Sequence, residues 1–202
     1  MAMHLILATR NEHKLREIKK ILGPRFIVHD LPGRDQVADV NESGSSYEEN
    51  AILKAITVSK QLPGLILADD SGLEVDALGG APGIRSARYA GTNASPAKKI
   101  ATLLSHLATV DAKGDQRRAR FRCILAVARD GRILATFEGV VEGEISERPR
   151  GSHGFGYDPI FIPEGFNQTF AELSEEVKNN ISHRTKALHN FQAEMPALSA
   201  EV

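Results

Sequence analysis

What this chain lacks narrows its biology first. It has one cysteine, Cys123, so no intrachain disulfide can form. Cys123 lies in an apolar run, where a thiol behaves as a small hydrophobe, and a reducing cytoplasm is the expected home. Aromatic residues make up 5% of the chain and the formal net charge is -1. That balance offers neither the stacking surface nor the basic field of a nucleic-acid binder, and it gives no pull toward an anionic membrane. No run reaches the apolar length of a spanning helix. The opening Met1-Ala2-Met3-His4-Leu5 lacks the charged start and long apolar stretch of a secretory signal. There is no Gly-Lys-Ser/Thr of a P-loop and no Gly-x-Ser-x-Gly elbow. His4, His13, His29, His106, His153 and His189 show no zinc-ligand spacing. Repeats and low-complexity tracts are absent as well.

What remains is an ordinary soluble balance. The chain has 202 residues, 42% hydrophobic and 25% charged, enough for one domain over residues 1–202 with a real core. Leu5-Ile6-Leu7-Ala8 predicts a short buried strand, and Thr9-Arg10-Asn11 a polar turn. A helix follows with Leu15, Ile18, Ile21 and Leu22 on one face, stopped by Gly23-Pro24. Phe26-Ile27-Val28 predicts the next strand, and Leu31 to Gly44 a loop. Ser46 with Glu49 fits a capping box, opening a helix that turns Ala51, Ile52, Ala55 and Val58 inward. Leu65-Ile66-Leu67-Ala68 predicts a strand that ends on Asp69-Asp70. Ser95-Pro96 starts another helix. Residues from about Ala119 to Glu144 read as a hairpin turning at Asp130-Gly131. Ile160-Phe161-Ile162 predicts a last strand, and Ser182 the cap of a C-terminal helix. Interleaved helices and strands with one hairpin predict an α/β fold, a mixed twisted sheet flanked by helices.

Four places have the residue types for phosphate chemistry, and each has a plainer reading. Thr9 to Lys14 lie between a strand and a helix, where backbone N–H groups favour an anion, yet the segment also suits a plain polar turn. Asp69-Asp70 follow an apolar strand, where ligands tend to bind in α/β proteins. Paired carboxylates there are costly unless a cation compensates them, and magnesium arriving with a triphosphate would do so. Glu42 could add a third oxygen ligand; a turn aspartate pair is the alternative. Gly151 to Asp158 permit close backbone approach and present Phe155, either as a stacking surface or as core. Lys178 with Ser182-His183-Arg184 forms a basic cluster, or a helix start with solvated charges.

Taken in order, these segments resemble the inosine triphosphate pyrophosphatase family, also called dITP/XTP pyrophosphatases, over nearly the whole chain. The resemblance rests on Thr9-Arg10-Asn11-Glu12-His13-Lys14, Glu49-Asn50-Ala51-Ile52-Leu53-Lys54-Ala55, Ala68-Asp69-Asp70-Ser71-Gly72-Leu73 and Leu78-Gly79-Gly80-Ala81-Pro82-Gly83. It continues in Ser86-Ala87-Arg88-Tyr89, Gly154-Phe155-Gly156-Tyr157-Asp158-Pro159-Ile160-Phe161 and Ile181-Ser182-His183-Arg184. It implies an elongated, two-lobed single domain with a central active-site cleft, and a homodimer. It implies that Thr9, Arg10, Asn11, Glu12, His13 and Lys14 cradle the triphosphate. Glu42 and Asp70 would hold Mg2+, and Asp70 would also be the general base. Ser71, Lys178 and Arg184 would contact phosphate or nucleotide. Phe155 would stack on the base, while Asp158, His183 and backbone around Gly156 and Tyr157 read its edge.

The expected activity is hydrolysis of nonstandard purine nucleoside triphosphates (ITP, dITP, XTP) to monophosphate and pyrophosphate. Phosphoanhydride hydrolysis needs charge neutralisation and an oriented water rather than a covalent nucleophile. A related pyrophosphatase for modified pyrimidine or standard nucleotides is one competing reading, and a nucleotide sensor without turnover is another.

Overall fold

The computed structural model of the chain describes residues 2–31, 40 and 42–200, the side chains of 195–200 excepted. Strand β1 (Met3–Leu7) leads into helix α1 (Glu12–Leu22), then β2 (Phe26–His29) and α2 (Tyr47–Ser59). Strand β3 (Leu65–Val75), α3 (Pro96–Thr109), β4 (Arg118–Arg129) and β5 (Arg132–Ile145) follow. Strand β6 (Phe161–Pro163), α4 (Glu175–Ile181) and α5 (His183–Ala200) complete the order. The six strands form one sheet in the order β2-β1-β3-β4-β5-β6. β1 pairs in parallel with β2 and β3, whereas β5 and β6 are antiparallel, so the sheet is mixed as expected.

Local chemistry explains most boundaries. Asn11 caps α1, accepting the His13 and Lys14 N–H groups, and Gly23 ends it at φ 63. Ser46 caps α2 by accepting the Glu49 N–H. The reciprocal bond of a capping box shifts by one residue, because the Glu49 carboxylate accepts from the Ser45 N–H and hydroxyl. Ser95 caps α3 ahead of Pro96. The β4–β5 hairpin turns at Asp130 (φ 50) and Gly131 (φ 76), the left-handed pair that a tight two-residue turn requires.

Two elements depart from the sequence reading. β3 does not end at Ala68 but runs on to Val75, so Asp69 and Asp70 lie inside a strand. Helix α4 was not foreseen; at seven residues it is too short for an apolar stripe to declare it, although Ser174 caps it. Ser182 therefore sits between α4 and α5.

The chain divides into two compact units, residues 1–70, 123–139 and 184–202, and residues 71–122 and 140–183. The first has a core of Leu5, Leu7, Ile18, Leu67, Leu125, Val127 and Phe191, among others. The second is built around Leu73, Leu103, Phe121, Phe161 and Phe170. Burying each such side chain contributes roughly 1.5–3 kcal/mol.

Candidate functional site

The first unit gathers charge around β3. Neighbouring residues on a strand point to opposite faces, and Asp69 and Asp70 consequently meet different partners. Asp69 pairs with Lys14 through Oδ1, and its Oδ2 accepts from Arg184 Nε at 3.0 Å and Cys123 Sγ at 3.1 Å. Arg184 also pairs with Glu17 of α1. Burial alone would raise Asp69, but Lys14 and Arg184 together outweigh it and hold the carboxyl well below its ordinary range. Asp69 is thus a fixed anion within a buried ion-pair network. Cys123, read from sequence as a small hydrophobe, is indeed fully buried and also serves this network as a thiol donor.

Asp70 is placed differently. Its Oδ1 accepts from Lys54 Nζ at 3.0 Å, and the same ammonium reaches Glu42 Oε1 at 2.7 Å. Its Oδ2 is buried and has no hydrogen-bond partner. Burial raises the Asp70 pKa, with a smaller push from Glu42, against the pull of Lys54 and Lys14. Lys54 moves up as well: burial acts against its charge, but two carboxylates outweigh that. The pair thus suits Lys54 better than Asp70, since Lys54 has two opposite charges nearby and Asp70 has a like one. A raised carboxyl with an open oxygen is a better proton acceptor than the locked Asp69.

The α1 entry holds the residues expected to form a phosphate cradle. Thr9 Oγ1 accepts the Asn11 N–H at 3.2 Å, and Asn11 Oδ1 takes the His13 and Lys14 N–H groups. Those two amides are therefore already satisfied, which leaves side chains as the main donors to an anion. Arg10, Asn11, Glu12 and His13 are exposed, Thr9 and Lys14 half-buried. Glu42 and Asp70 present hard oxygen donors that converge on one cation, Lys54. Among the described residues no group of three or more His, Cys, Asp or Glu side chains could hold a metal. Two carboxylates with substrate oxygens and water completing the shell suit magnesium, so the donor set fits it. Asp39, the other acid near Glu42 in sequence, lies outside the described residues.

The second unit gathers the remaining candidates. Asp158 Oδ2 accepts from the Phe155 N–H at 2.7 Å and from Lys178 Nζ at 2.6 Å. The Lys178 ammonium lies 4.9 Å from the centroid of the half-buried Phe155 ring. Gly154, at φ 73, is required here, because a Cβ would strike the Asp158 carboxylate. Tyr157 is core: it is buried, and its hydroxyl donates to the Ser86 carbonyl at 3.1 Å. His183 is buried and stacks on Phe121, centroids 4.8 Å apart and planes 12° from parallel. Ser71 is half-buried in β3 and Gly156 half-buried in the Phe155 loop.

Known proteins resemble this chain over most of its length. A family model described as Ham1 matches residues 5–194. This chain belongs to the Ham1 family. Among relatives of this Ham1 chain, a dITP/XTP pyrophosphatase of Bacillus licheniformis is 47% identical over 190 residues, 94% of this chain and 96% of the relative. Another dITP/XTP pyrophosphatase, from Bacillus subtilis, is 48% identical over 184 residues, 91% and 92% of the two chains. The solved structure of a HAM1 protein from Coxiella burnetii superposes with a TM-score of 0.85 at 41% identity, covering 96% of this chain and 99% of that one. Sequence reasoning gave no role to one residue of this Ham1 chain, Lys54. Its signal was present: Lys54 falls in phase with Tyr47, Ala51, Ala55 and Val58 on the buried stripe of α2. A lysine there needs an anionic partner inside.

Proposed function

We propose that this protein hydrolyses nonstandard purine nucleoside triphosphates, ITP, dITP and XTP, at the bond between the α and β phosphates, releasing the monophosphate and pyrophosphate. The observation that carries the reading is the split fate of Asp69 and Asp70, one locked in ion pairs and the other raised with a buried open oxygen. Asp70 takes the proton of the attacking water, whose oxygen bonds to phosphorus as the phosphoanhydride breaks. Lys14 and Lys54 supply positive charge toward the phosphates, with Thr9, Arg10, Asn11, Glu12 and His13 forming the rest of the cradle. Bound by Glu42 and Asp70, magnesium would neutralise phosphate charge and acidify water. Arg184 serves the reaction by holding Asp69, and through it Lys14.

Phe155 stacks on the base. Lys178, which shares Asp158 and the Phe155 ring, is taken to the base rather than to phosphate. An ammonium has only donors, so it donates to the 6-keto oxygen of a purine and leaves the 6-amino group of adenine unpaired. Ser71 and His183 complete the contacts, with backbone at Gly156 and Tyr157. The protein works in the cytoplasm as a homodimer, and it clears these nucleotides before they enter DNA or RNA.

The test is turnover of ITP, XTP, dITP, GTP and ATP with magnesium, assaying pyrophosphate and orthophosphate separately. Pyrophosphate with a clear preference for the first three supports the reading. Orthophosphate with a nucleoside diphosphate product contradicts the bond assignment.

A further inference from the structure

The loop carrying Glu42 is laid against the first turn of α2 by a buried amide. Asn50 is fully buried, and its Oδ1 accepts the Gly44 N–H at 2.9 Å. The contact is tight: a Cβ on Gly44 would lie 2.8 Å from Asn50 Oδ1 and 2.8 Å from the Glu49 Cβ. Real Cβ atoms do not come so close, so only glycine lets the loop approach. Glu49 ties down the next residue through the Ser45 N–H at 2.6 Å and hydroxyl at 2.8 Å. One helical turn beyond Asn50, Lys54 reaches the Glu42 carboxylate. The same helix face thus grips the loop twice, at the backbone through Asn50 and at the side chain through Lys54. The Asn50 Nδ2 is buried without a hydrogen-bond partner, so the bond to Gly44 is the contact that fixes the amide.

We infer that Asn50 and Gly44 form a latch that positions Glu42 for its divalent cation, making Asn50 a positioning residue of the metal site. This rests on the reading of Glu42 as a metal ligand. The latch acts on affinity for the metal and not on the chemical step. Asn50→Ala removes the acceptor, and Gly44→Ala pushes the loop away from the other side. Each variant weakens cation binding by about tenfold or more, the usual size for loss of a partner behind a metal ligand. At saturating magnesium kcat returns to near the native value. Because both variants break one contact, the double variant costs no more than either alone.

The experiment titrates Mn2+ into the native protein and into Asn50→Ala, Gly44→Ala, the double variant and Glu42→Gln, each with a nonhydrolysable triphosphate analogue, and reads affinity without turnover. Magnesium half-saturation of ITP hydrolysis and thermal midpoints are measured alongside. Matching affinity losses in both single variants with no further loss in the double support the latch. Unchanged affinity with only lowered midpoints overturns it. A Glu42→Gln variant with native affinity would instead defeat the ligand reading itself. Hydrogen exchange at the Gly44 amide in the native protein gives a check that needs no variant. The latch predicts protection that rises with cation and analogue, and an amide exchanging at the rate of open loop overturns it.

Discussion

Replacing Lys54 by methionine keeps the unbranched apolar stem and removes the charged end, leaving Glu42 and Asp70 without the ammonium that links them. Loss of one partner from a fully buried pair costs about 3–5 kcal/mol. The Glu42 side chain is 32% exposed and the Asp70 side chain 10%, so solvent screens part of the cost. The expected loss at pH 7.5 is about 2–3 kcal/mol. For a domain of this size that lowers the thermal midpoint by roughly 5–10 °C. The Lys54 pKa is raised in the fold, so its contribution is fully present at pH 7.5 and fades only at strongly alkaline pH. The cost shrinks toward acid, where Asp70 takes up a proton. Lys54 also pulls the Asp70 pKa down, so its removal lets Asp70 rise further. If Asp70 is the base, the acid limb of kcat then moves to higher pH. Thermal melts at pH 5 and 7.5 with a pH–rate profile measure both effects. A Lys54→Met protein that melts like the native one and keeps its acid limb would refute the reasoning.

Other consequences follow from the same network. Asp69 has a depressed pKa, so its stabilisation is present above about pH 3.9, the ordinary aspartate value, and is lost as pH falls below it. Asp69→Asn should therefore cost about 3 kcal/mol at neutral pH and flatten the acid end of the stability curve; an unchanged acid melt would contradict this. Native activity should fall on acidification at a higher pH than an ordinary carboxyl sets, because burial raises Asp70; a flat rate from pH 4 to 7 would remove Asp70 as base. Phe155→Ala should weaken ITP binding by about 1–3 kcal/mol, the worth of base–aromatic stacking, with the metal requirement unchanged. An unaltered Michaelis constant and a melted protein would make Phe155 core.

The mixed sheet and the capped helices were legible in the sequence because their signals are local. Ser46 and Ser95 cap where their hydroxyl chemistry predicts, and Asp130-Gly131 turns the hairpin; Asn11, read only as part of a polar turn, proves to be the cap of α1. The end of β3 was not legible, since two aspartates look like a turn until their buried partners are seen. Asp69 can stay inside a strand only because Lys14, 55 positions away, and Arg184, 115 away, neutralise it. Lys54 was missed for a related reason: its partners Glu42 and Asp70 become neighbours only after folding. The place of Lys178 beside Phe155 is equally nonlocal, set by α4, a helix too short to announce itself.

The most direct test of the central claim is the kcat of a folded Asp70→Asn variant with ITP at saturating magnesium. The amide is nearly isosteric, so circular dichroism and the near-native melt should confirm the fold. It cannot accept a proton from water, and it lacks the charge that favours a cation. The account predicts a fall of at least about 10²–10⁴-fold, the usual share of general base catalysis, with the metal role adding to it. A folded variant with near-native turnover would contradict the account and place the catalytic carboxylate elsewhere.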